Sequence, residues 1–138
     1  MANILIVDDS SDILEAMRYI LEMEGFSVRT VTGKISLMKD LEQNTPDLIL
    51  LDILLSGDNG IEICKELKNN EDTKHIPVVL MSASPKMLQN HEECGATDVI
   101  AKPFHLTELS DKINSILKML PVLLINFQQV SHNIIHHL

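Results

Sequence analysis

The sequence predicts an α/β fold in which a five-stranded parallel sheet is covered by helices on both faces, a doubly wound three-layer sandwich. Short, continuous apolar runs, typical of strands buried on both faces, alternate with longer segments whose apolar residues recur every three or four positions. The composition also fits a globular domain, because 45% of the 138 residues are hydrophobic and 22% are charged. A chain of this length can bury a substantial core.

The predicted elements form five successive strand–helix units. The predicted strands are Asn3–Val7, Ser27–Val31, Leu48–Leu51, Val78–Met81 and Val99–Ala101. The helices that follow them are predicted near Ile13–Glu24, Ile35–Gln43, Ile61–Asn69, Met87–Cys94 and Leu106–Met119. Ser10 or Ser11 would cap the first helix, and Gly25 would end it in the left-handed conformation. Ligands of such folds bind beyond the carboxyl ends of the strands.

Charge and composition exclude several classes of function. Twenty acidic residues against eleven basic ones give a formal charge of −9, which argues against a nucleic-acid or anionic-membrane partner. The apolar run Ile4–Val7 is too short for a signal peptide, and no apolar stretch reaches the roughly eighteen residues of a membrane span. We therefore expect a soluble, cytoplasmic protein. Two cysteines without CxxC spacing suggest neither a disulfide framework nor a zinc site.

Charged and polar side chains follow four of the five predicted strands. Asp8 and Asp9 follow the first strand, Asp52 the third, Ser82 the fourth and Lys102 the fifth. Because the carboxyl ends of parallel strands meet at one edge of the sheet, we expect these residues to converge there. Crowded carboxylates repel one another unless they protonate or recruit a cation, and Mg²⁺ suits such a site best.

The same residues suggest phosphoryl chemistry. A carboxylate can act as a nucleophile and form an acyl phosphate, and Asp52 is the best candidate because it follows the predicted central strand. Lys102 can pair with a carboxylate or with an anionic phosphoryl group. Ser82 can donate a hydrogen bond to the transferred group.

These motifs resemble the receiver domain of bacterial two-component response regulators, and in particular the chemotaxis-regulator type. The motifs are Asp8–Asp9 after IleLeuIleVal, Asp52 in LeuLeuAspIleLeuLeuSerGlyAspAsnGly, Ser82–Ala83 in ProValValLeuMetSerAla, and Lys102–Pro103–Phe104 in AlaLysProPhe. The resemblance covers about residues 2–119 and implies a receiver domain over residues 1–120. It also implies the flavodoxin-like strand order 2-1-3-4-5.

The resemblance assigns a role to each site residue. It implies that Asp52 accepts a phosphoryl group from a histidine kinase or a histidine phosphotransfer protein, with Ser82 and Lys102 contacting the phosphoryl oxygens. It further implies that Mg²⁺ is held by Asp9, Asp52 and the backbone carbonyl of Leu54, with Asp8 helping through water. The Lys102–Pro103 bond is expected to be cis, and Gly60 is expected to allow the turn that starts the third helix.

The sequence departs from the family pattern at several positions. Ser56, followed by Gly57, replaces a proline that receivers often carry four residues after the phosphoacceptor, which predicts a more mobile loop. Val99 stands where the family often has an aromatic switch residue, and a valine has no ring to bury or expose. Leu54 and Ser84 occupy positions that influence how easily water reaches the acyl phosphate.

The resulting prediction is a stand-alone receiver rather than a metabolic enzyme. It would switch contacts with a downstream protein effector, with no nucleic-acid or membrane partner, and could dimerise through its helix 4, strand 5 and helix 5 face or through its tail. Two alternatives stay open: a scaffold of the same fold that is not phosphorylated, and an intermediate carrier in a phosphorelay.

Each of these residues also has a purely structural interpretation, and two other families use related chemistry. Taken singly, Asp8 and Asp9 could cap the first helix, and Asp52 or Lys102 could be solvated loop charges. Their joint placement at one sheet edge favours a site. A haloacid-dehalogenase-like phosphatase would need an Asp-x-Asp pattern after the first strand, and a flavin carrier would need a Ser/Thr/Gly-rich loop there. The sequence has neither.

The last residues differ from the rest of the chain. Residues 119–138 contain no formally charged side chain, and Pro121 should end or kink the fifth helix. Apolar residues then recur near helical spacing, so residues 121–138 form an atypical tail that is predicted to dock on the receiver or pair with a second chain, or else to be disordered. His132 and His136 have metal-like spacing, but a solvated tail explains them more simply.

Overall fold

A five-stranded parallel sheet forms the centre of the computed structural model, which describes residues 1–118. Its strands are β1 (Asn3–Val7), β2 (Ser27–Val31), β3 (Leu48–Asp52), β4 (Val78–Ser82) and β5 (Asp98–Ala101). They are paired in the order β2-β1-β3-β4-β5, and every pairing is parallel. The predicted doubly wound sheet and its 2-1-3-4-5 order are therefore confirmed.

The helices lie in two layers against this sheet. They are α1 (Ser11–Met23), α2 (Lys34–Gln43), α3 (Gly60–Lys68), the single turn α4 (Pro85–Leu88) and α5, which covers residues 106–118. Among these helices, none is long and apolar enough to cross a membrane. The predicted tail, with His132 and His136, lies outside the described residues.

Alternating strand residues supply the two halves of the core. Leu5 and Val7 of β1 face one apolar cluster, whereas Ile4 and Ile6 face the other. The first cluster includes residues of α2 and α3, and the second includes residues of α1 and α5. Because the inner strands β1, β3 and β4 carry buried apolar residues on both faces, they must be covered on both sides, and the three-layer arrangement follows.

The ends of α1 agree with the predicted signals. The Ser10 hydroxyl accepts a hydrogen bond from the backbone N–H of Ile13 at 3.4 Å, and Ser10 is the N-cap residue. Gly25 follows the helix with a φ of 96°, a conformation that glycine adopts without the strain that a side chain introduces.

The predicted fourth helix, Met87–Cys94, is wrong as one continuous helix. The chain forms a single α-helical turn, Pro85–Leu88, and then a separate 3₁₀ turn, His91–Cys94. Gln89 is extended and Asn90 has a φ of 60°. Asparagine is one of the few residues other than glycine that tolerate the left-handed conformation. The apolar spacing alone did not reveal this break.

A short antiparallel hairpin connects β3 with α3. Leu54–Leu55 pairs with Asp58–Asn59, so Ser56 and Gly57 are the two central residues of the turn. Gly57 has a φ of 78°, which matches the second central position of a type II turn. The hairpin stands directly beside the carboxyl end of β3, and it therefore forms one wall of the site described next.

Candidate functional site

The five polar residues predicted to converge lie at the carboxyl edge of the sheet. Asp8 and Asp9 follow β1, Asp52 is the last residue of β3, Ser82 is the last residue of β4, and Lys102 follows β5. The register explains the convergence, because Val7 lies opposite Leu51 and Asp52 lies opposite Met81.

Three carboxylates form the centre of this edge. Asp8, Asp9 and Asp52 each offer one oxygen, and these oxygens lie within 4.8 Å of one another. Asp8 and Asp52 are 1% and 8% exposed, whereas Asp9 is exposed. Oxygen ligands at such spacing are the donor set that hard divalent cations prefer. The residues present therefore fit Mg²⁺.

Lys102 supplies the positive charge of the site. Its ammonium nitrogen Nζ lies 2.7 Å from Asp8 Oδ2 and 3.4 Å from Asp52 Oδ2. The other oxygen of Asp8 accepts a hydrogen bond from the backbone N–H of Ser10 at 3.0 Å. Burying Asp8 is tolerable because both of its oxygens are paired, one of them with a full counter-charge. The Lys102–Pro103 peptide bond that follows is cis, as the resemblance implied.

The carboxyl of Asp52 is less well compensated. Burial raises its pKa, and the neighbouring Asp8 carboxylate acts in the same direction, although Lys102 and the backbone N–H of Leu54 lower the pKa. The net shift is upward. The ionised form of Asp52 is therefore less favourable in the folded protein than in the unfolded chain.

We expect Asp52→Asn to stabilise the protein at neutral pH in the absence of divalent cations. Asparagine mimics the protonated carboxyl, so the gain should be about 1 kcal/mol. An acid whose pKa is raised on folding lowers stability as pH rises from its unfolded pKa to its folded pKa. The gain should therefore be full at pH 7 and shrink as the pH falls towards 4. Urea unfolding followed by circular dichroism in EDTA checks this, and a less stable variant at pH 7 would contradict it.

Asp9 is held by the hairpin. Its Oδ2 accepts hydrogen bonds from the backbone N–H of Ser56 at 3.0 Å and from the Ser56 hydroxyl at 2.8 Å. These bonds lower the pKa of Asp9, and the bond from the hydroxyl has the largest effect. The sequence predicted a more mobile loop at this serine, but it did not reveal that serine supplies two donors to a site residue. The structure shows that it anchors the loop there.

The Ser82 hydroxyl has only weak partners for its proton. It is buried, its oxygen lies 3.9 Å from the thioether sulfur of Met87, and the same oxygen accepts a hydrogen bond from the backbone N–H of Ser84 at 3.0 Å. A thioether is a poor acceptor. An anionic oxygen beside β4 could therefore accept a hydrogen bond from the Ser82 hydroxyl at little cost.

Gly60 is required for a reason other than the predicted turn. Gly25, Gly57 and Gly95 are the described glycines with a positive φ, and Gly60 is not one of them. A Cβ at this position would instead lie 2.3 Å from the carbonyl oxygen of Asp52 and 2.8 Å from Cα of Ile53. The first residue of α3 thus packs directly on the backbone of the central strand, and only glycine fits.

Leu54 follows Asp52 by two residues, and Val99 lies within β5, three residues before Lys102. Leu54 pairs with Asn59 in the hairpin and leaves its side chain 57% exposed. Val99 is half-buried and packs against the core cluster that contains Leu5 and Val7. A cavity of about 370 Å³ opens beside Lys102, where Ile13, Ala83, Pro103 and Phe104 complete its lining.

Comparisons with known proteins agree with this arrangement. The family model described as the response regulator receiver domain matches residues 4–114. The phosphate regulon transcriptional regulatory protein PhoB of Escherichia coli is 37% identical over 117 residues, which are 83% of this chain and 51% of that protein. The chain thus spans about half the length of the curated relatives it matches.

Solved structures show the same fold. The signal receiver domain of a signal transduction histidine kinase from Syntrophus aciditrophicus is 32% identical, with a TM-score of 0.80 over 87% of this chain and 92% of that one. The receiver domain of sensor histidine kinase PA1611 from Pseudomonas aeruginosa, described with a magnesium ion in its active site cleft, is 24% identical. It matches with a TM-score of 0.76 over 85% and 98% of the two chains. The extent of the family match shows that this chain belongs to the response regulator receiver domain family.

Proposed function

We propose that Asp52 is the phosphoacceptor of this receiver and that its phosphorylation depends on Mg²⁺. Receiver domains are signalling domains of two-component systems. The observation that supports Asp52 is its position in the carboxylate cluster, with the ammonium of Lys102 3.4 Å from its Oδ2. Asp52 ends the central strand, and the ammonium of Lys102 lies close both to its carboxylate and to that of Asp8.

The proposed step transfers a phosphoryl group to a carboxylate oxygen. An oxygen of Asp52 attacks phosphorus, the bond between phosphorus and a histidine nitrogen of the donor breaks, and that nitrogen keeps the electron pair. The product is an acyl phosphate. The ammonium of Lys102 would move from the carboxylates towards the phosphoryl oxygens. The Ser82 hydroxyl would donate its hydrogen bond to a phosphoryl oxygen instead of to the sulfur of Met87.

Asp9, Asp52 and the Leu54 carbonyl are the proposed ligands of Mg²⁺, with Asp8 contributing through water. When bound, the ion neutralises negative charge on the carboxylates and on the incoming phosphoryl group. The cluster supports this assignment because three carboxylate oxygens lie within 4.8 Å and one lysine balances only one of their charges.

The proposed partners are a histidine kinase or a histidine phosphotransfer protein upstream and a protein effector downstream, in the cytoplasm. The formal charge of −9 does not favour direct nucleic-acid contact by this chain. With Val99 beside β4 in place of an aromatic ring, the output would depend on movement of Ser82 and the segment after it. We propose that phosphorylation shifts the population of that segment.

Intact mass after incubation with Mg²⁺ and acetyl phosphate tests the proposal. We expect a gain of about 80 Da in the wild-type protein, no gain without Mg²⁺, and no gain in Asp52→Asn. Asp72→Asn is the matched control, because Asp72 is an exposed acid in the loop after α3. An adduct that persists in Asp52→Asn would overturn the assignment of Asp52.

The same assay separates the alternatives. If wild-type protein gains no mass from acetyl phosphate or from a panel of histidine kinases, the unphosphorylated scaffold is the better interpretation. If phosphate passes from the labelled protein to a histidine phosphotransfer protein, the chain acts as a relay carrier.

A further inference from the structure

Ser56 makes two hydrogen bonds to one atom of the site. Its backbone N–H and its hydroxyl both donate to Asp9 Oδ2, at 3.0 and 2.8 Å, across 47 positions of sequence. Asp9 is exposed, and an exposed carboxylate is otherwise free to change rotamer. Ser56 is thus the group that fixes the orientation of this carboxylate in the structure.

The turn that holds Ser56 is itself anchored on the other side. Asp58, the first residue of the returning strand of the hairpin, accepts a hydrogen bond from the backbone N–H of Lys34 at 3.2 Å through its Oδ2. At the base of the hairpin, the backbone N–H of Gly60 donates to the carbonyl of Ile53 at 2.8 Å. The donors of Ser56 are therefore fixed relative to both β3 and α2.

The two bonds leave the other oxygen of Asp9 available. Both reach Oδ2, so Oδ1 keeps its lone pairs for a ligand. Carboxylates that ligate metals are commonly hydrogen-bonded by residues behind them, and removing such a partner typically weakens metal binding by about 10–100-fold. Asp9 also belongs to the cluster whose oxygens lie within 4.8 Å.

We propose that Ser56 is a positioning residue for the divalent cation, which clamps Asp9 Oδ2 so that Oδ1 is presented to the ion. This inference rests on the proposed function, because it assumes that Asp9 is a ligand. It assigns Ser56 a role in metal affinity and not in the transfer step. It also predicts that the hydroxyl and the backbone N–H contribute separately, because each makes its own bond.

Binding of Mn²⁺, followed by the electron paramagnetic resonance signal of the free ion, and of Mg²⁺ by calorimetry tests the inference without a phosphodonor. Ser56→Ala removes the hydroxyl and keeps the N–H. Ser56→Pro removes both donors, and proline suits the first central position of a type II turn. Ser56→Thr keeps both. Ser115→Ala, at an exposed position of α5, is the matched control.

We expect dissociation constants to rise several-fold in Ser56→Ala and about tenfold or more in Ser56→Pro, with Ser56→Thr and Ser115→Ala within twofold of wild type. An unchanged or tighter affinity in Ser56→Ala would overturn the inference, because the clamp would then be neutral or in competition with the ion. Circular dichroism shows whether each variant folds, and Ser56→Ala decides the question if Ser56→Pro does not.

Asp9→Asn separates failure of this inference from failure of the proposed function. If the wild-type protein binds neither ion, the metal site and the inference fail together. If Asp9→Asn abolishes binding while Ser56→Ala and Ser56→Pro retain wild-type affinity, Asp9 remains a ligand and only the role of Ser56 is wrong.

Discussion

Gly60→Ala should cost about 3 kcal/mol of unfolding free energy, although alanine is the better helix former. The added methyl would lie 2.3 Å from the carbonyl oxygen of Asp52 and 2.8 Å from Cα of Ile53. Both obstacles are backbone atoms at the end of the central strand, so no side chain can rotate away. Either α3 must shift outward or β3 must bend, and each movement disturbs the packing of Ile63 and Ile53 in the core.

Urea unfolding followed by circular dichroism measures this loss, and Gly25→Ala is the matched control. Gly25 has a φ of 96° and nothing within 4 Å of an added Cβ, so its alanine variant should lose only the backbone strain of about 1 kcal/mol. Equal stability of the two variants would show that the contact at Gly60 relaxes easily. Gly60→Ala should also weaken binding of Mn²⁺, because Asp52 and the hairpin that carries Ser56 adjoin the displaced backbone.

The sequence was sufficient for the sheet and for the convergence of the site residues. Strands buried on both faces read as continuous apolar runs, and parallel strands must end at one edge. The predicted topology alone therefore placed Asp8, Asp52 and Lys102 in one cluster. The same logic says nothing about pairing within the cluster, so it did not show that Lys102 lies closer to Asp8 than to Asp52.

Local backbone conformation and individual side-chain contacts could not be predicted from the sequence. The spacing of Met87 and Cys94 fits a helix, but Asn90 takes a left-handed conformation that an apolar pattern does not encode. Gly60 was expected to serve a turn, whereas a close approach between α3 and β3 explains it. In the sequence, Ser56 is distinguished only by standing where receivers often have a proline. Its two hydrogen bonds to Asp9 depend on the position of the hairpin. That position is fixed by a tertiary contact, the hydrogen bond from the Lys34 N–H to Asp58, which a local pattern does not encode.

Lys102→Met should cost about 3 kcal/mol in the absence of divalent cations, as expected when one partner of a buried ion pair is removed. The side chains of Lys102, Asp8 and Asp52 are 17%, 1% and 11% exposed. Methionine fills a similar volume, so loss of charge rather than of packing should dominate. Lys112→Met is the matched control, because Lys112 pairs at 3.2 Å with Asp98 nearer to solvent. That pair should contribute at most about 1 kcal/mol.

Excess Mg²⁺ should recover much of the stability lost in Lys102→Met, since a cation bound by the carboxylates replaces the missing charge and stabilises the folded state by mass action. The ammonium and the ion carry the same sign and approach the same oxygens. The variant should therefore gain more from Mg²⁺ than the wild-type protein does. Urea unfolding in EDTA and in excess Mg²⁺ measures both gains, and equal gains would mean that Lys102 does not oppose the ion.

The double variant Lys102→Met/Asp8→Asn distinguishes an unpaired buried charge from a simple loss of contact. Asp8 is the closer partner of Lys102 and the more deeply buried carboxylate. Asparagine at position 8 can keep accepting from the Ser10 N–H without needing a counter-ion. If the cost of Lys102→Met comes from the carboxylate it leaves behind, the double variant should be more stable than Lys102→Met alone. If the two losses simply add, Lys102 and Asp8 contribute to stability independently of one another, and the electrostatic account of this site is wrong.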